Sequence, residues 1–98
     1  MKSTEIEIGN PSGLHARPAA VFVRAAAKFH CGIRLQNLTA GRPEADAKSI
    51  LGVLTAGVAR GHRIRLVADG DDAEQAIAEL RALIESGLGE TLDADAAP

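Results

Sequence analysis

The chain has 98 residues, 46% of them apolar, and a formal net charge of −2 at pH 7. That length holds one domain with a modest core and leaves no room for a second domain or a deep substrate cavity. The near-neutral charge lacks the basic excess of a general nucleic-acid binder, and two Phe without Trp or Tyr make no stacking platform for bases. Cys31 is the single cysteine, so an internal disulfide and a stapled secreted scaffold are excluded. Residues 1–10 show no apolar stretch followed by a small-residue cleavage site. The longest apolar run, Ala19 to Val23, is far too short to cross a bilayer. A soluble cytoplasmic protein is expected, without membrane insertion.

Glu5-Ile6-Glu7-Ile8 alternates polar and apolar, the period of a half-buried strand with both isoleucines inward. Gly9 to Gly13 is dense in turn formers and reads as a loop. A helix follows. Phe22, Ala25, Ala26 and Phe29 fall at helical spacing, and the run Ala25 to Ala27 favours helix strongly. Pro18 is tolerated only in a first turn, so this helix begins near His15 or Ala16. The stripe carries it to about His30, with Gly32 beyond. Ile33 to Gln36 alternates again as a second strand. Thr39 to Pro43 is a turn, and a short third strand is expected over Glu44 to Ala47.

Ser49 to Thr55 is ambiguous by pattern alone. Ser49 suits the N-cap of a short helix that Gly52 weakens and Gly57 ends. Arg63 to Ala68 reads as a strand with Ile64, Leu66 and Ala68 on one face. In the last helix Ala73, Ala76, Ile77, Leu80, Leu83 and Ile84 form an apolar stripe. Asp71 with Glu74 resembles a capping box, and Gly87 sits where a C-cap glycine belongs. The domain is expected over residues 1–90, with 91–98 a flexible tail or linker stub. Short strands without long crossovers predict an α+β domain, an antiparallel sheet with helices on one face.

The chemistry concentrates in Gly13-Leu14-His15-Ala16-Arg17-Pro18. A helix start exposes unpaired N–H groups and the positive end of the dipole, which together attract anions. An imidazole there is a nucleophile near neutral pH. Arg17 adds a planar fork for phosphate oxygens. A nucleophile, an anion cradle and a cation suit reversible phosphoryl transfer. His30, at a helix end, and His62, in a turn, read as cap or surface residues. Neither has a carboxylate or cysteine at metal-ligand spacing, so no metal site is expected.

Gly13 to Ala20 resembles the active-site motif of the HPr phosphocarriers of the bacterial phosphoenolpyruvate:sugar phosphotransferase system. Ala47-Lys48-Ser49-Ile50-Leu51-Gly52-Val53-Leu54 resembles the segment around that family's regulatory serine, and Ser86-Gly87-Leu88-Gly89-Glu90 resembles its ending. The resemblance implies an open-faced sandwich, with four antiparallel strands under three helices. It implies that Enzyme I phosphorylates His15 at Nδ1, that Arg17 assists, and that the group passes to an Enzyme IIA domain for sugar uptake. The chain would then be a carrier rather than a turnover enzyme, working as a monomer without a cofactor. Ser12 and Ala16 would support the phosphate. Ile50, Leu51 and Leu54 would form an apolar docking patch with Val53 inward, and Arg24 and Lys28 would attract an acidic partner. Some members are phosphorylated at the equivalent of Ser49 by a serine kinase and reset by a phosphatase. The alternative is a regulatory binding module acting through Ser49 and the patch alone. Ser49 lies a few residues later than in the familiar members, and the extra residues fall in the 39–45 turn, where loops tolerate insertion. The same motifs also occur in HPr-like domains of multidomain phosphotransferases, so the chain is either free-standing or one such domain.

Overall fold

The computed structural model describes residues 1–90; the expected tail lies outside them. Seven elements follow in order: β1 (Lys2–Glu7), α1 (Ala16–Ala26), β2 (Gly32–Asn37), β3 (Ala45–Asp46), α2 (Ile50–Thr55), β4 (Arg63–Asp69) and α3 (Ala73–Glu85). The sheet order is β1-β4-β2-β3, with every neighbour antiparallel. The three helices leave the other face of the sheet open, so the fold is the expected open-faced sandwich.

Alternation explains which face is covered. Register places Ile6, Ile64 and Asn37 in one row, and Thr4, Leu66 and Leu35 in the next. Ile6, Ile33, Leu35, Ile64, Leu66 and Ala68 are buried under Ala19, Phe22 and Ala26 of α1 and Ala73, Ala76, Leu80 and Ile84 of α3. Phe22 is fully enclosed; burying a side chain of that size contributes about 1.5–3 kcal/mol. The outward rows are charged: Glu5 lies 3.6 Å from Arg63 and 3.0 Å from Arg65, and Arg34 lies 3.3 Å from Glu44. These exposed pairs define the solvent face more than they stabilise it.

Local readings depart from the structure at four places. β1 begins at Lys2, because β4 is long enough to pair Lys2 with Ala68, and it ends at Glu7. Ile8 is still buried, but its N–H donates to the His62 carbonyl (2.8 Å). α1 stops at Ala26, short of His30. The Asp72 carboxylate accepts the N–H groups of His30 (2.8 Å) and Cys31 (2.9 Å), which turns the chain out of the helix while Phe29 stays in the core. His30 therefore lies beyond the helix rather than at its end. The N-cap of α3 is Asp72 rather than Asp71, and its carboxylate, committed to that turn, makes no capping bond. β3 is only two residues long.

Candidate functional site

The loop before α1 is anchored so firmly that its last residue is presented outward. Gly13 has φ +59°, and a Cβ on it would lie 2.4 Å from the Val58 carbonyl oxygen and 2.8 Å from the Ala59 Cα. Only glycine permits that approach. The Leu14 N–H donates to the same Val58 carbonyl (2.9 Å), and the Leu14 side chain is fully buried. With Leu14 committed inward, His15 falls at the surface, exposed like Ala16 and Arg17 beside it.

His15 is the N-cap of α1, with extended backbone (φ −122°, ψ 159°) and no side-chain capping bond. Its ring is thus free of the duty a Ser or Asp takes on at this position. Ala16 follows at φ +50°, a left-handed conformation costly for a residue with a Cβ. That strain sits between the imidazole and the guanidinium of Arg17. Pro18 contributes no N–H, and the Ala19 N–H reaches the His15 carbonyl only at 3.5 Å. The first turn therefore presents loosely held N–H groups, beside His15 and Arg17, as a place for an anion.

Behind the loop lies a contact with no local signal in the sequence. The Glu90 carboxylate accepts from the Asn10 side-chain amide (2.9 Å), the Ser12 N–H (2.9 Å) and the Ser12 hydroxyl (2.7 Å). The bond from Asn10 first, then those from Ser12, hold the Glu90 carboxyl below the usual carboxylate range. Asn10 is fully buried and its amide also donates to the Gly13 carbonyl (2.9 Å). The Ser12 hydroxyl, expected beside the imidazole or phosphate, is turned to Glu90. The resemblance of residues 86–90 to a family ending pointed at this segment without saying what it does.

Ser49 caps α2 as expected: its hydroxyl accepts the Gly52 N–H at 3.0 Å. Gly52 has a packing reason, since a Cβ there would meet the Asp46 carbonyl at 3.3 Å and the Ser49 hydroxyl at 3.4 Å. α2 packs against α1 and turns Val53 fully inward. Ile50, Leu51 and Leu54 remain 44%, 72% and 38% exposed. Arg24 is exposed on α1, and Lys28, expected on the same helix, is exposed in the turn that follows it. They line, with Val21, Ala25 and Leu83 of α3, a groove of about 280 Å³ between α1 and α3. Among the described residues no group of three or more His, Cys, Asp or Glu is placed to hold a metal ion, and no helix is long and apolar enough to cross a membrane.

The family described as the PTS HPr component phosphorylation site matches residues 2–86. The chain belongs to the HPr family. It is similar to the multiphosphoryl transfer protein of Haemophilus influenzae, 47% identical over 87 residues, covering 89% of this chain and 17% of that protein. It is also similar to the phosphocarrier protein HPr of Haemophilus influenzae, 40% identical over 84 residues, covering 86% of this chain and 95% of that protein. Among solved structures, HPr-C-His from Thermoanaerobacter tengcongensis superposes with a TM-score of 0.87 at 47% identity, covering 93% of this chain and 99% of that one. The chain thus spans roughly a fifth of the multiphosphoryl transfer proteins it matches and nearly the whole of a free-standing HPr. Members of the HPr family are phosphocarriers of the phosphotransferase system rather than catalytic enzymes as such.

Proposed function

We propose that His15 is the phosphoryl acceptor, taking the group from phosphorylated Enzyme I and handing it to an Enzyme IIA domain in the cytoplasm. The observation that carries this reading is an exposed imidazole, free of any capping bond, at the start of α1 with Arg17 beside it. The unprotonated ring nitrogen attacks phosphorus while the bond from phosphorus to the donor breaks. The second ring nitrogen keeps its proton, so no external base is needed for acceptance. Arg17 and the first-turn N–H groups of α1 take up the charge on the phosphoryl oxygens. Delivery reverses the same steps. Ile50, Leu51 and Leu54 offer the partner an apolar surface next to α1, and Arg24 and Lys28 complement an acidic rim.

Incubation with phosphoenolpyruvate, Mg²⁺ and Enzyme I should add one acid-labile phosphoryl group. His15→Ala should abolish it, whereas His30→Ala and His62→Ala should still label at the end point. Label that persists in His15→Ala overturns the reading.

A further inference from the structure

His62 was expected to be a surface residue of a turn. It is half-buried, and its Nδ1 is the hub of a bonded cluster. The Ala59 N–H lies 3.1 Å from Nδ1, and the Asn37 side-chain amide nitrogen also lies 3.1 Å away. A backbone N–H can only donate, so Nδ1 is an acceptor and the ring proton sits on Nε2. The orientation of Asn37 is fixed independently. Its amide nitrogen donates to the Ala56 carbonyl (3.1 Å), and its oxygen accepts the Ala40 N–H (3.1 Å). Asn37 is fully buried, so each of these bonds is costly to lose.

The turn this imidazole shapes, Val58 to His62, grips both ends of the acceptor loop. At the near end Ile8 donates to the His62 carbonyl (2.8 Å) and accepts from the Gly61 N–H (2.7 Å). At the far end Leu14 donates to the Val58 carbonyl (2.9 Å), and Gly13 fits against Val58 and Ala59 with no space for a Cβ. Through Asn37 the same cluster reaches Ala56, the C-cap of α2. One pair of side chains therefore ties the loop carrying the acceptor to the helix carrying the exposed apolar patch.

We propose that His62 is a positioning residue for phosphoryl acceptance at His15. Its unprotonated Nδ1 holds the curvature of the 58–62 turn, and the turn sets where His15 stands relative to α2. The proposal rests on the carrier reading above. Transfer between two docked proteins demands that acceptor and docking surface keep a fixed relation, because small displacements of a reacting atom cost large factors in rate.

The test compares His62→Leu, which keeps bulk and removes the acceptor, with His62→Asn, whose side-chain oxygen can stand where Nδ1 stands. Single-turnover phosphorylation from phosphorylated Enzyme I is followed against carrier concentration. His62→Leu should lower the maximal rate about tenfold and leave the half-saturating concentration within about twofold, while His62→Asn should recover most of the rate. Amide hydrogen exchange provides a readout independent of transfer. In His62→Leu the Ala59 and Leu14 amides should exchange faster, with the α3 amides unchanged. A wild-type rate in His62→Leu, an equal loss in His62→Asn, or exchange that rises uniformly across the molecule would each overturn the proposal. Failure of the wild-type protein to label sinks the carrier reading instead, and the exchange pattern still reports whether His62 holds the loop.

Discussion

Two helices of this domain begin in opposite ways. α2 is closed: Ser49 folds its hydroxyl onto the Gly52 N–H, and a Cβ at Gly52 would already crowd that hydroxyl. α1 is open: His15 occupies the capping position without capping, Ala16 is strained, and Pro18 removes a donor. A helix start that satisfies its own N–H groups gains stability. One that leaves them unsatisfied at the surface keeps them for a ligand. The difference separates a structural terminus from a reactive one within the same fold. It also shows where the cost of openness is offset: the loop before α1 is held by Val58 and by Glu90, neither of which belongs to the helix.

The comparison breaks most severely at Arg17. Arg17→Ala should slow phosphoryl transfer in both directions by on the order of a hundredfold, since it removes a charge that acts on the transferring group. The fold should be unchanged by circular dichroism and thermal midpoint. Lysine should rescue only in part, lacking the planar fork. Wild-type rates in Arg17→Ala would make the open start a matter of backbone donors alone.

The closed start is tested next. Ser49→Ala should cost about 1 kcal/mol in denaturant unfolding through loss of the cap. Replacing the uncapped His15 with Ala should change stability by less than about 0.5 kcal/mol. Ser49→Asp keeps a capping oxygen and adds a negative charge beside Ile50 and Leu51. It should fold normally and accept phosphate at His15 more slowly, chiefly through weaker apparent affinity for Enzyme I. Identical kinetics for Ser49→Asp and wild type would leave Ser49 a cap and nothing more.

The smallest effect concerns the support behind the open start. Because the folded-state pKa of Glu90 is lowered, its contribution to stability is complete above the ordinary glutamate range and is lost as pH falls through the depressed value. The difference in thermal midpoint between wild type and Glu90→Gln should therefore be largest at neutral pH and shrink in acid. A difference that stays constant with pH would show that the carboxylate charge is not what holds Asn10 and Ser12.

Much of this was legible in residues close together in the chain. The alternation around Ile6, Ile33 and Ile64 placed three strands, and the position of Pro18 placed the start of α1. The division of the four apolar residues after Ser49, with Val53 inward and Ile50, Leu51 and Leu54 outward, came from the family resemblance, since their pattern alone is apolar almost all round. What stayed hidden depends on partners far apart in sequence. Nothing local to Glu90 says that it will meet Ser12, and nothing near His62 says that Asn37 will reach it. The capping pattern pointed to Asp71, and nothing marked Asp72, which takes the N–H groups of His30 and Cys31 beyond the end of α1. Periodicity reports which face a residue turns to the core. It is silent about which polar group waits there.

The sheet order has a consequence for how the chain acquires its structure. β1 pairs with β4 alone, Lys2 against Ala68 and Glu7 against Arg63. β1 must therefore wait for β4, a partner with β2 and β3 between them in the chain, while β2 and β3 can meet early as a local hairpin. Closing so long a stretch is an entropic barrier that no local contact repays, so the ascent to the transition state is governed by topology more than by helix strength. Until β4 arrives, β1 has unpaired backbone and Ile6 is exposed, and the bond from Ile8 to the His62 carbonyl that holds the near end of the His15 loop is not yet made.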